Sequence, residues 1–176
     1  MELRFVPPDS RRLDELRADA LVLSYFEEER PLRGPASLVD WRLSGQLSKL
    51  QLRGRVRGRA HERALLPGRP RTPFDKIFLV GLGPEAEMTP ERAEAACRAI
   101  LDMLDRCLVR SAAMVLPGRS TGKLGAETAL EVFLRASAGP HEQDAVTLIE
   151  DADAHRALFL TLERERRKAR AASAGQ

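Results

Sequence analysis

Residues 111–135 read SAAMVLPGRSTGKLGAETALEVFLR, and this stretch decides the fold class. The apolar run at 112–116 predicts a buried strand, 117–125 form a glycine-rich loop, and the apolar spacing at 126–135 predicts a helix. In open α/β sheets, ligands bind beyond the carboxyl ends of the strands, where this loop would lie. Its backbone N–H groups, two hydroxyls and following helix N-terminus together favour an anion. We therefore predict a ligand pocket at this loop, without a complete catalytic apparatus beside it.

Length and composition favour one globular domain. The chain has 176 residues, of which 43% are hydrophobic, so it can bury a sizeable core. It contains no run of about 18 apolar residues that would cross a membrane. The N-terminal residues lack the apolar stretch of a secretory signal. A cytoplasmic location is the default expectation.

The cysteines and histidines do not predict a metal or redox site. Cys97 and Cys107 lie on one predicted helix, about 15 Å apart along its axis, which is too far for a disulfide. We interpret both as buried thiols. The three histidines are scattered, and no CxxC or HExxH spacing occurs. We therefore expect neither a metal nor a cofactor.

Strands and helices alternate along the rest of the chain. Strands are predicted at 2–6, 18–26, 64–66, 77–83 and 145–149, and helices at 10–16, 35–50, 90–108 and from 151 or 153 onward. The charged residues 27–30, three glutamates and an arginine, are interpreted as a solvated turn. This alternation is typical of an α/β fold with a mixed, mainly parallel sheet covered on both faces. We expect one domain at 1–165 and a basic, frayed tail at 166–176.

The segment 53–71 is the most basic part of the chain. The net charge is only +3, and only four of the 29 cations are lysine. Four alternating arginines are candidates for contacting nucleic-acid phosphates: Arg53, Arg55, Arg57 and Arg59. The alternative is a solvated sheet edge whose charges discourage aggregation. No aromatic residue lies between them, so base stacking is not supported.

Two other features have more than one interpretation. Gly81 and Gly83 follow a buried strand, where glycine allows either a ligand or another chain segment to approach the backbone. A GxG without a third glycine is weak support for a dinucleotide site. Trp41 lies off the apolar stripe of its predicted helix. It either covers the edge of that stripe or marks a contact surface.

The order of several segments resembles a known family. These segments are RADALVLSYFEE, GPASLVDWRLSGQLSKL, a basic strand ending in LLP, DKIFLVGLG, TPERAEAACRAI and SAAMVLP. Together they resemble, over residues 18–117, the N-terminal domain of the leucine aminopeptidase family of metallopeptidases. The resemblance implies a macro-domain-like fold, a three-layer α/β/α arrangement around a mixed, mainly parallel sheet.

The same resemblance implies a candidate site for an ADP-ribose-like nucleotide. PGRSTGKLG is similar to the phosphate-binding loop of macro domains, and Asp19 stands where the resemblance places an adenine-contacting aspartate. The candidate ligand-binding residues are Asp19, Gly81, Gly83, Ser120, Thr121, Gly122, Lys123 and Gly125. The asparagine-rich turn and glycine run of hydrolytic macro domains are replaced by LSYF and RGPA, so de-ADP-ribosylation is not expected. Tyr25 and Phe26 are bulky enough to fill the pocket.

The resemblance does not imply aminopeptidase activity for these residues. The metal ligands of that family belong to its C-terminal catalytic domain, and no residue here matches them. We therefore predict a non-catalytic interaction or regulatory module, with an unknown protein partner or self-association. The alternatives are binding of an ADP-ribose-like nucleotide and binding of nucleic acid through the arginine-rich segment.

Overall fold

The computed structural model describes residues 1–174. The strands are β1 Glu2–Val6, β2 Ala20–Tyr25, β3 Arg63–Pro67, β4 Lys76–Gly81, β5 Ser111–Met114 and β6 Ala145–Ile149. The helices are α1 Ser10–Glu15, α2 Gly34–Arg42, α3 Gln46–Leu52, α4 Pro90–Arg106, α5 Ala126–Ala136 and α6 Ala152–Ala174. The strands form one sheet in the order β1-β6-β5-β2-β4-β3.

The sheet is mixed and mainly parallel, as predicted. Every neighbouring pair is parallel except β3 and β4, which are antiparallel. The strand β2 is buried throughout, because it lies between β4 and β5 and is covered on both faces. Its apolar run is therefore continuous rather than alternating with polar residues.

Helices cover both faces of the sheet, which confirms the three-layer α/β/α arrangement. On one face, α4, α5 and α6 bury an apolar cluster that includes Ile100 and Phe133. On the other face, α1, α2 and α3 bury a second cluster that includes Leu13 and Leu47. The β2 strand contributes alternate residues to the two clusters, with Val22 in the first.

The single helix predicted at 35–50 is wrong, because the chain forms α2 and α3 with a break between them. Ser44 has φ +56° and Gly45 has φ +74°, left-handed values that end a right-handed helix. The Asp40 carboxylate in α2 accepts hydrogen bonds from the backbone N–H groups of Leu47, at 2.7 Å, and Ser48, at 3.2 Å. It thus satisfies the free donors at the start of α3 and stabilises the break.

The start of α4 and the end of α6 bear on two further predictions from the sequence. At the start of α4, Thr89 Oγ1 accepts from the Arg92 N–H at 3.3 Å, which confirms the predicted N-cap. At the other end of the chain, α6 runs to Ala174, and the frayed tail expected at 166–176 stays a prediction. Residues 175 and 176 of that tail lie outside the described residues. Among residues 1–174, no helix is both long and apolar enough to cross a bilayer.

Candidate functional site

The glycine-rich loop at 117–125 connects the end of β5 to the start of α5. It closes on itself, because the Leu124 N–H donates to the Gly118 carbonyl and the Gly122 N–H donates to the Arg119 carbonyl, each at 3.1 Å. Gly118 and Gly122 have φ values of +82° and +74°, which favour glycine at both positions. The loop is therefore an ordered turn, closed by its own backbone hydrogen bonds, at the carboxyl edge of the sheet.

A buried carboxylate lies against this loop. Oε2 of Glu29 accepts hydrogen bonds from the Phe26 N–H at 2.8 Å and from the Ser120 hydroxyl at 3.1 Å. Glu29 is only 2% exposed, and its Oε1 has no hydrogen-bond partner among the described residues. The solvated turn predicted for 27–30 is therefore wrong at Glu29. This side chain thereby occupies the Ser120 hydroxyl, one of the two loop hydroxyls that the sequence predicts to favour an anion.

The environment of Glu29 disfavours its charge. Burial is the largest influence and raises the pKa of this carboxyl above its ordinary value of 4.5. The hydrogen bonds from Phe26 and Ser120 and the nearby charge of Arg33 act in the opposite direction but do not cancel the effect of burial. The Glu29 carboxyl therefore stays protonated to a higher pH in the folded chain than it would in water.

A second contact, the ion pair between Arg119 and Glu150, holds the loop in place. The Arg119 guanidinium forms two hydrogen bonds with the Glu150 carboxylate, at 2.6 and 2.7 Å, and a third with the Leu124 carbonyl at 2.6 Å. The two charged side chains are 15% and 7% exposed. The hydrogen bonds from Arg119 to Glu150 raise the pKa of the guanidinium above its ordinary value, so Arg119 stays charged. The loop is thereby tied to the end of β6.

The outer side of the loop is open. A Cβ added at Gly122 or Gly125 would meet no atom within 4 Å, and Lys123 is exposed beside them. The Thr121 hydroxyl is buried and has no hydrogen-bond partner among the described residues. The predicted residues 120–125 are therefore together in one surface loop, with one side filled by Glu29 and the other side facing solvent.

Asp19 does not lie at this loop. It precedes β2, at the amino edge of the sheet, whereas the loop follows the carboxyl end of the neighbouring parallel strand. The six residues of β2 separate the two edges by roughly 20 Å. The Asp19 carboxylate instead accepts from the N–H groups of Arg110, at 3.1 Å, and Ser111, at 2.9 Å. The structure thus does not bring Asp19 and the loop into one pocket.

Gly81 and Gly83 pack against another part of the chain rather than facing an open pocket. A Cβ at Gly81 would lie 2.1 Å from the Arg59 carbonyl oxygen, and the Gly83 N–H donates to the Gly58 carbonyl at 2.8 Å. Another part of the chain, residues 58–60, therefore takes the space that these glycines leave. Of the two interpretations of the GxG, close packing of the chain is the one that the geometry favours.

The four candidate arginines lie between α3 and β3, rather than along the sheet edge of the alternative interpretation. Arg53, Arg55, Arg57 and Arg59 are all exposed there. The Glu62 carboxylate holds this loop, since its Oε2 accepts from the N–H groups of Arg57 and Gly58, each at 2.6 Å. Nucleic-acid binding by these arginines stays a prediction.

The bulky residues after β2 are part of the core. Phe26 is fully buried in the cluster under α4 and α5, and Tyr25 is buried in the cluster on the opposite face. The Tyr25 hydroxyl lies 3.3 Å from Glu62 Oε2. Neither ring is free to stack on a ligand. Among residues 1–174, no three His, Cys, Asp or Glu side chains are grouped as metal ligands.

The sequence matches one protein family over most of its length. Residues 22–145 match the model of the cytosol aminopeptidase family, N-terminal domain. A probable cytosol aminopeptidase of Dechloromonas aromatica is 33% identical over 92 residues. That match covers 52% of this chain and 18% of the relative, so the chain spans about a fifth of the length of the curated relatives that it matches. The matched region extends past the predicted resemblance and includes the glycine-rich loop.

Solved structures share the fold at low identity. A tomato leucine aminopeptidase mutant superposes with a TM-score of 0.62 at 16% identity, over 92% of this chain and 35% of that one. The Trypanosoma brucei macrodomain in complex with ADP gives a TM-score of 0.65 at 15% identity, over 91% of this chain and 67% of that one. These likenesses confirm the macro-domain-like architecture.

Proposed function

The chain belongs to the cytosol aminopeptidase family through the N-terminal domain of that family, and on this premise we propose that it is a non-catalytic protein-interaction module. The observation that carries the proposal is the Glu29 carboxylate, which accepts from the Ser120 hydroxyl of the loop and from the Phe26 N–H beside it. A negatively charged ligand would have to displace or neutralise this group. The fold is retained, while the site typical of nucleotide binding is filled from within.

The non-catalytic part of the proposal is supported by where the similarity lies. The family match at 22–145 concerns the N-terminal domain alone. The matched relative continues far beyond the aligned part, which is 18% of its length. The residues of this chain therefore correspond to a non-catalytic portion of those proteins.

The interaction part is supported by the surface. Trp41 is 70% exposed on α2, and the Arg42 guanidinium lies 4.9 Å from the centroid of its ring. Tryptophan and arginine are the residues that most often dominate the binding energy of protein interfaces. Of the two interpretations of Trp41, we favour the contact surface.

Sedimentation velocity tests the proposal. The chain is run alone and mixed with a full-length cytosol aminopeptidase from the same cell, as the wild type and as Trp41→Ala. Self-association or a complex that the substitution weakens supports the proposal. Leu160→Ala is the matched control, since Leu160 is also exposed but lies on α6. Metal-dependent hydrolysis of a leucyl amide by the purified chain would contradict the non-catalytic part.

A second candidate function is binding of an ADP-ribose-like nucleotide. The specific observation in its favour is the open outer side of the loop at Gly122 and Gly125. A macrodomain of the same architecture is described in complex with ADP. This function requires that the Glu29 side chain leave the loop or become neutral.

A further inference from the structure

A cavity of about 390 Å³ opens between β3, β4 and α4. Its floor is apolar and includes Val80, Leu82, Met88, Ala96 and Ala99. Its rim carries the guanidinium groups of Arg63 and Arg92. No residue of the glycine-rich loop lines this cavity, so it is distinct from the candidate site above.

The cavity exists because α4 leaves part of the sheet uncovered. Arg63 and Leu65 of β3 pair with Val80 and Phe78 of β4, whose side chains are buried on the α4 face. Paired residues of neighbouring strands point to the same face, so Arg63 and Leu65 also point toward the α4 side. Yet Leu65 is 56% exposed, which means that no helix within residues 1–174 covers β3 on this face.

The backbone N–H and C=O groups on the outer edge of β3 can also accept a further strand. The Gly81 N–H donates to the Glu62 carbonyl at 2.8 Å, which makes 62 and 81 a hydrogen-bonded pair of the antiparallel ladder. Such pairs alternate with pairs whose N–H and C=O groups point outward. The groups of Arg63 and Leu65 therefore point away from β4, and they donate to or accept from no other group in the described part of the chain. A strand edge of this kind is a template for another strand.

We infer that the β3 edge and its cavity bind an extended segment of a protein partner as an added strand. The inference rests on the proposed interaction function and names its partner surface. The segment carries an acidic residue opposite Arg63, with apolar residues two positions before and after it. One apolar side chain then packs on Leu65 and the other enters the cavity, because alternate residues of a strand share one face.

The positive charge around the cavity favours an acidic residue at the centre of the bound segment. Arg63 stands on the rim, and Arg59 is exposed in the loop just before β3. Glu87 is the acidic residue at the cavity, and it forms an ion pair with Arg92. An acidic side chain therefore meets excess positive charge there, whereas a basic one meets repulsion.

A short synthetic peptide tests the inference. The probe is fluorescein-labelled Thr-Leu-Thr-Glu-Thr-Leu-Thr, whose symmetric pattern presents the same face in either strand direction. A second peptide has lysine in place of the glutamate. By fluorescence anisotropy, we expect the glutamate peptide to bind the wild type about tenfold more tightly than the lysine peptide. Arg63→Glu should reverse this order, whereas Arg4→Glu, on the opposite edge strand β1, should leave it unchanged.

A backbone variant tests the added strand itself. Leu65→Pro removes an outward N–H at an edge position where proline is tolerated, so the fold should persist by circular dichroism while peptide binding is lost. Hydrogen exchange should show protection of the Leu65 amide by the peptide. Should Leu65→Pro not fold, the reversal by Arg63→Glu decides the matter.

Several results would overturn the inference. The first is that neither peptide binds at about 1 mM. The second is that the wild type and Arg63→Glu each bind the two peptides equally well. The third is that the peptide protects backbone amides of β1 from hydrogen exchange instead of the Leu65 amide. Self-association that Leu65→Pro abolishes would replace the partner segment by a second copy of the chain. Failure of the proposed function itself would be seen separately, in the hydrolysis and sedimentation experiments, which use no peptide.

Discussion

Replacing Glu29 by glutamine should stabilise the protein at neutral and alkaline pH. Glutamine has nearly the same shape, and its carbonyl oxygen can accept from Phe26 and Ser120 in place of Oε2. It removes the charge that burial disfavours, while its NH2 group takes the place of Oε1, which has no partner among the described residues. Burying a charge costs more than burying a neutral amide, so the free energy of unfolding at pH 8 should rise by an amount on the order of 1 kcal/mol.

The pH dependence follows from the direction of the pKa shift. A carboxyl whose pKa is higher in the folded chain binds more protons there than in the unfolded chain. The contribution of Glu29 to stability should therefore fall as the pH rises from 4.5 through the raised pKa of this carboxyl. Glu29→Gln lacks this loss, so the two proteins should be nearly equal below pH 4.5 and should separate above it.

Thermal unfolding measured across this pH range provides the test. For a chain of this size, 1 kcal/mol corresponds to about 2–4 °C in Tm. Glu27→Gln, in the same turn, is the control and should change Tm little at any pH. If Glu29→Gln unfolds more easily than the wild type at pH 8, the carboxylate stabilises the fold and our interpretation of its burial is wrong.

Three further predictions concern the loop, a strand exit and a thiol. Glu150→Ala leaves Arg119 buried without its partner, so urea denaturation should show a loss of about 3–5 kcal/mol; a loss below about 1 kcal/mol would make the ion pair unimportant. Gly81→Ala should prevent stable folding because its Cβ meets the backbone at 2.1 Å, whereas Gly125→Ala, with open space around it, should be tolerated; equal Tm values would contradict the packing argument. Burial raises the pKa of the Cys97 thiol to about 12, so iodoacetamide at pH 8 should not modify it before unfolding, as peptide mass mapping would show.

The strands and the fold class could be predicted because burial leaves a strong mark on the sequence. A strand covered on both faces, such as β2, must be apolar at nearly every position. Thr89 before Pro90 similarly marks the start of α4, since capping depends on neighbouring residues. Such local signals need no knowledge of the rest of the chain.

The contacts that decide the site are between distant residues, and the sequence does not reveal them. Glu29 lies in an acidic run that is typical of a solvated turn, and only its contact with Ser120, 91 positions away, explains its burial. Gly81 leaves room for Arg59, which no spacing rule relates to it. The break before α3 likewise depends on Asp40 reaching across to Ser48.

Calorimetric titration with ADP-ribose tests the central claim most directly. At an effective dielectric constant of about 20, two unit charges about 4 Å apart repel by about 4 kcal/mol, which corresponds to roughly a thousandfold in Kd. We therefore predict no binding heat from the wild type at about 1 mM ADP-ribose and measurable binding after Glu29→Ala. Saturable binding by the wild type at micromolar concentration, lost in Gly122→Glu, would contradict the account and make the loop a nucleotide site.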